Sequence, residues 1–111
     1  MKAEIKDKWV KALRSKKYKQ AEGALREGTS HFCCLGVLCD IYRKETGVGK
    51  WEAYTEGPRD FITPSKNCEG FPSKPIYEWA GLHHSTGKRL ATMNDHGATF
   101  EEIANHIEKK L

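Results

Sequence analysis

The stretch that most limits this chain is HFCCLGVLCDIY at residues 31–42, where apolar residues fall on every side of a helical projection. A helix that is apolar all round must be covered all round, so this segment predicts the buried centre of the fold. Its charge-free part, residues 32–39, is far shorter than the roughly 20 residues that a membrane-spanning helix needs. Around it the chain is polar: of 111 residues, 38% are hydrophobic and 31% charged, with a mean hydropathy of −0.72. That composition supplies one small core and one domain, residues 1–111. Gly36 inside the helix costs about 1 kcal/mol against alanine. The expected offset is close approach of another backbone, such as the first helix.

The expected fold class is α+β, a small helix-dominated domain with short β-hairpins or strands. Residues 2–15 read as an amphipathic helix, with Ile5, Trp9, Val10 and Leu13 on one face and lysines on the other. Residues 18–20 and 24–26 flank Glu22-Gly23 as a short hairpin or a folded loop. Gly28-Thr29 breaks the chain, Ser30 caps a helix starting near His31, and Gly47 stops that helix. All four prolines lie between 58 and 75, so residues 48–75 form a Pro/Gly-rich loop region. Its aromatic residues Trp51, Tyr54, Phe61 and Phe71 argue against disorder. Residues 51–55 and 59–63 pair as short strands around Glu56-Gly57-Pro58. Pro75 opens a short helix at 76–80, ended by Gly81. A further short helix covers 88–94 until Gly97. Thr99 and Glu102 make a capping box for the last helix, whose stripe is Phe100, Ile103, Ala104, Ile107 and Leu111. The first, second and last helices should pack together, with strands or loops at 17–27 and 50–63 on one side.

The N-terminus MKAEIKDKW carries charges where a signal peptide is apolar. Cys33, Cys34 and Cys39 crowd into the most apolar stretch, away from Cys68, which fits reduced thiols better than a disulfide framework. A cytoplasmic protein with no membrane partner is expected.

Nineteen basic residues against fifteen acidic give a formal charge of +4, mild for a nucleic-acid binder. The positive charge is nevertheless concentrated. Lys8, Lys11, Arg14, Lys16, Lys17 and Lys19 occur without an acid between 8 and 19, and Tyr18 lies among them. This run is either a solvated helix face or part of a site for a phosphorylated ligand, since cations hold phosphate and rings stack bases. On the second reading Arg14, Lys17, Lys19 and Arg26 meet phosphate. Tyr18 and Trp51 then stack, and Gln20, Asn94 and Asp95 read ribose or base edges. The competing reading of Asn94-Asp95-His96-Gly97 is turn chemistry between two helices.

Cys33-Cys34 near a helix start poses a second choice. One reading is a thiolate served by His83, His84, His96 or His106 and oriented by Asn94 or Asp95. The other is a pair of packed core cysteines, which the apolar surroundings favour. A zinc site from His31, Cys33, Cys34 and Cys39 is disfavoured. On a helix Cys39 points about 140° from Cys34 and about 120° from Cys33. No phosphate-binding glycine motif and no nucleophile elbow occurs. No catalytic residue, metal or cofactor is therefore expected.

The runs KWVKALRSKKYKQ, HFCCLGVLCDIY, YEWAGL and LATMNDHGATFEEIANHIE together resemble a family of small uncharacterised proteins of tailed bacteriophages. The likeness covers nearly the whole chain, and FCCLGVLCD and NDxGxTFxEIA are its distinctive parts. Lys16 stands where the family's pattern has glycine after Arg-Ser, which implies a changed turn. The resemblance implies a setting, the cytoplasm of a bacterial host, and no particular activity. By analogy with other phage proteins that sequester defence signals, the expected function is non-enzymatic binding of a small anionic nucleotide-like ligand. The alternatives are a module that docks on a host bacterial protein or a phage protein through residues 48–75, and a weak nucleic-acid binder through residues 8–19. A homo-oligomer is compatible with each.

Overall fold

A computed structural model describes residues 1–27, 30–51, 61–62, 67–68 and 71–111. Helix α1, Ala3–Arg14, turns Ile5, Trp9, Val10 and Leu13 into the core, the face that its periodicity predicts. Ser15 closes it, and Lys16 follows with φ 64°. Among the described residues this is the one non-glycine position with a left-handed backbone. Glycine adopts that conformation without steric cost, so Lys16 stands at a position that favours glycine.

Three two-residue strands come next: β1, Lys19–Gln20; β2, Arg26–Glu27; and β3, His31–Phe32. Of the two readings of 18–20 and 24–26, a hairpin or a folded loop, the hairpin does not form. Instead β3 lies between the other two, parallel to β1 and antiparallel to β2. A lone two-stranded pair is marginal in water, and here the central strand β3 bonds to a neighbour on each side. Gly23, with φ 76°, lets the intervening chain turn back.

Helix α2, Cys34–Thr46, begins later than the sequence suggests. His31 and Phe32 belong to the sheet, so Ser30 is not the cap. Cys33 is: its Sγ accepts from the Gly36 amide at 3.3 Å. Gly47, in the left-handed conformation, closes α2. The close approach at Gly36 is present, but its source is different. A Cβ built there would lie 1.8 Å from the Leu25 carbonyl oxygen, so the chain just before β2, and not α1, crosses at Gly36.

A second small sheet joins β4, Lys50–Trp51, to β5, Phe61–Ile62, and β5 to β6, Asn67–Cys68, all antiparallel. Trp51 pairs with Phe61, so strands from the two expected segments 51–55 and 59–63 do meet, two residues out of the end-to-end register that would set Trp51 opposite Thr63; residues 52–60 and 63 lie outside the described residues. Strand β6 was not expected. The turn placed at Glu56-Gly57-Pro58 and the breaker at Gly28-Thr29 lie outside the described residues.

Helix α3, Lys74–Ala80, has Pro75 in its first turn and ends at Gly81. Helix α4, His84–Asp95, starts four residues before the expected 88, capped by the His83 ring. Helix α5, Phe100–Lys110, carries both halves of the Thr99–Glu102 capping box. Helix α1 packs on α5 and α2, and α4 packs on α2 and α5. Their apolar faces merge into one core in which Trp9, Leu35, Leu38, Leu90, Ile103 and Ile107 are fully buried. The Trp9 indole donates to the Cys34 carbonyl at 2.9 Å, so α1 is tied to the start of α2. The protein is α+β and helix-dominated. Among the described residues no helix is long and apolar enough to cross a membrane.

Candidate functional site

Asp40 lies on the face of α2 that looks toward β3 and β4, and it is 4% exposed. A buried carboxylate needs donors in place of water, and four side chains supply them. Tyr18 donates its hydroxyl to Oδ2 at 2.7 Å. The Trp51 indole donates to Oδ1 at 3.0 Å. Arg43 donates to Oδ1 through Nη2 at 3.0 Å and Nε at 3.3 Å. Lys44 Nζ lies 3.3 Å from Oδ2 and donates to the Tyr18 hydroxyl at 3.4 Å. Arg43 and Lys44 reach Asp40 because positions three and four apart share a helix face.

The rings interlock. Tyr18 meets Phe32 edge-on at 4.9 Å between centroids, and Phe32 meets Trp51 at 5.5 Å. The Arg26 guanidinium lies 5.2 Å from the Trp51 ring and 5.9 Å from Phe32, a cation–π placement. Between these groups is a cavity of about 320 Å³. Its walls are Tyr18, Phe32 and Trp51, its cations Lys17, Arg26, Arg43 and Lys44, and Ser30 and Asp40 complete it.

Burial opposes ionisation of Asp40. The hydrogen bonds from Trp51, Tyr18 and Arg43, with the charge of Lys44, outweigh it and hold the carboxyl below its usual 3.8. Burial, reinforced by the bond to Asp40 and its charge, pushes the Tyr18 phenol above 10.0. Burial pulls Lys44 down, but its bond to Tyr18 and the charge of Asp40 raise it further. At neutral pH the cavity therefore holds a carboxylate, a neutral phenol and ammonium and guanidinium groups. Such a surface attracts anions and accepts flat rings. Among the described residues it holds no thiol, and each oxygen of its one carboxylate already accepts from the side chains around it.

Of the nine residues that the sequence suggested, Lys17, Tyr18, Arg26 and Trp51 meet at this cavity. Lys19 is exposed on β1 and is not among the cavity's walls. Arg14 is turned the other way. Its guanidinium donates to Glu108 at 3.0 Å and Asn105 at 2.6 Å, with Glu101 at 3.5 Å, because the acidic face of α5 lies beside it. Lys8 pairs with Glu45, and Lys11 with Asp7, so the basic run is divided among several partners. Gln20, Asn94 and Asp95 do not face the cavity either. Asn94 is fully buried: its Oδ1 accepts from Gln20 at 2.9 Å and the Cys34 amide at 3.2 Å, and its Nδ2 donates to the Ala21 carbonyl at 2.7 Å. Asp95 accepts from the Gly23 amide at 2.9 Å. The three form an internal latch between the end of α4 and the β1–β2 connection.

Sequence reasoning missed Asp40, Arg43, Lys44, Phe32 and Ser30. A signal existed for the first three: Asp40 is the one charge within residues 32–42, with cations three and four positions on. The thiolate reading does not survive. Cys33, Cys34 and Cys39 are buried; burial pushes the Cys33 thiol up to about 11 and Cys34 well above its usual range. Among the described residues no cluster of His, Cys, Asp and Glu could hold a metal ion. A second hollow of about 410 Å³ lies between α4 and α5, lined by Arg89, Lys110, His106 and two hydroxyls. It lacks a buried charge in its floor.

A family model described as a domain of unknown function (DUF8296) matches residues 1–88. The described residues that form the Asp40 cavity all fall within that span. No curated protein and no solved structure matches the chain.

Proposed function

The chain belongs to the DUF8296 family, and from the chemistry of the Asp40 cavity we propose that it binds a small anionic nucleotide-like ligand without converting it. One observation carries the reading: four cations and three aromatic rings line one hollow of about 320 Å³. That volume falls at the lower end of small-molecule sites. Phosphate oxygens take charge-assisted hydrogen bonds from lysine and arginine, and a base lies against the aromatic edges and the Arg26 plane. Lys17 has no ion-pair partner among the described residues, so its charge is available to a ligand. The biological setting that fits is a phage-type protein in a bacterial host's cytoplasm, withholding a nucleotide signal of antiphage defence from its receptor.

Calorimetric titration with cyclic AMP, cyclic dinucleotides and ADP-ribose tests this. The expected result is saturable one-to-one binding, weakened about tenfold or more by Lys17→Ala or Arg26→Ala and unchanged by Arg14→Ala. The ligand should be recovered intact after heat denaturation of the protein. Absence of binding across the panel refutes the proposal, and a chemically altered ligand makes the protein an enzyme.

A further inference from the structure

A carboxylate withdrawn from water keeps its charge only where other donors replace its hydration. Asp40 is such a group, and its donors have a common property. Tyr18, Arg43, Lys44 and Trp51 all line the same cavity. We infer that Asp40 is the positioning residue of this cavity, an internal counter-ion that holds two cations and two rings in the arrangement that receives a ligand. The inference rests on the nucleotide-binding reading and adds the means by which the empty site is kept in shape.

A carboxylate offers about four lone-pair positions, and Asp40 already faces Trp51 Nε1, Tyr18 Oη, Arg43 Nε and Nη2, and Lys44 Nζ. No acceptor position remains for a donor on the ligand, so Asp40 acts through its neighbours. Lys17, Arg26, Arg43 and Lys44 surround one hollow, and like charges so placed drive one another outward when no anion is bound. Asp40 offsets that repulsion from beneath. It also ties Lys44 to Tyr18, whose ring lies 5.6 Å from the ammonium. A site preformed in this way gives up less freedom when it binds.

The inference makes a prediction opposite in sign to that of simple charge. Asp40→Asn removes a negative charge from an anion site. If Asp40 acted only as a charge, cyclic AMP, cyclic dinucleotides and ADP-ribose would bind more tightly. If it positions the cavity, all that bind the wild type weaken, by about tenfold. Tyr18→Phe supplies the control, because it leaves every charge and every ring in place and deletes the hydroxyl that joins Asp40 to Lys44. Affinity should fall several-fold, where the charge account predicts no change. Calorimetry on both variants, with thermal midpoints measured alongside, decides the matter. Unchanged or tighter binding in folded Asp40→Asn overturns the inference. If that variant does not fold, unchanged binding in Tyr18→Phe overturns it instead. A wild type that binds none of the three probes brings down the nucleotide reading and this inference with it. A wild type that binds, beside variants that bind equally well, removes only the role of Asp40.

Discussion

Replacing Asn94 with alanine separates a structural latch from a ligand-reading residue. The side chain is 0% exposed and joins three segments remote in sequence: Gln20 and Ala21, Cys34, and its own helix. Truncation leaves the Cys34 amide without its 3.2 Å acceptor, in the first turn of α2, where no intrahelical partner exists. It also leaves the Ala21 carbonyl without its 2.7 Å donor. Gln20 retains a second bond, to the Ala98 carbonyl at 2.7 Å, and loses least. Each orphaned buried group costs about 1–3 kcal/mol, so the expected loss is about 4 kcal/mol, a large share of the 5–15 kcal/mol that typically holds a domain together. With a urea slope of about 2 kcal/mol/M, the unfolding midpoint should fall by about 2 M at unchanged slope. Circular dichroism and tryptophan fluorescence should report the same transition. Nucleotide affinity of the folded fraction should stay at the wild-type value. A midpoint that moves by less than about 0.5 M, together with lost affinity, would refute the latch and return Asn94 to the ligand.

Gly36→Ala sets a methyl group against the Leu25 carbonyl, which also accepts from the Cys33 amide at 3.2 Å; a loss of about 3 kcal/mol or more, or failure to accumulate folded protein, should appear in the same urea titration. Lys16→Gly relieves a left-handed lysine and should raise stability by up to about 1 kcal/mol, seen as a higher thermal midpoint; a lower midpoint would refute the strain. Iodoacetamide at about pH 8 should leave Cys33, Cys34 and Cys39 unmodified in the native protein, because their thiols are buried and, for the first two, hard to ionise. Peptide mapping should find all three labelled in urea, and native labelling at Cys33 would reopen the nucleophile reading.

What was legible in the sequence followed local rules. The apolar spacing of α1 and α5, the Thr99–Glu102 box, Pro75 at the start of α3 and Gly81 after it each operate within a turn or two of helix, and each stands in the structure. The strands were not legible in the same way. Two residues cannot show an alternating pattern, and which strand lies in the middle of a sheet depends on chain crossings. For the same reason the cap of α2 fell on Cys33. Ser30 is the better cap by preference, but His31 and Phe32 are drawn into pairing with β1 and β2, and the helix starts only where that pairing ends.

The site shows the same division more sharply. Arg14, Gln20, Asn94 and Asp95 carry the groups that a nucleotide would require, and the protein turns those groups on itself. The partners of Arg14 and Gln20 lie 91, 94, 74 and 78 residues away, beyond the reach of any spacing rule. A polar side chain that satisfies a distant backbone and one that awaits a ligand look alike in sequence, because both need the same donors and acceptors. Asp40 is the reverse case. Its cations at the third and fourth positions beyond it are a local pattern, yet its apolar neighbours mark it for burial, where a lone charge has no place. Those two facts together imply a buried carboxylate held by its own helix. Such a group becomes tolerable only where further donors close over it, and Tyr18 and Trp51 are those donors. The Tyr18 and Trp51 rings therefore meet Arg43 and Lys44 at one place because all four gather on Asp40.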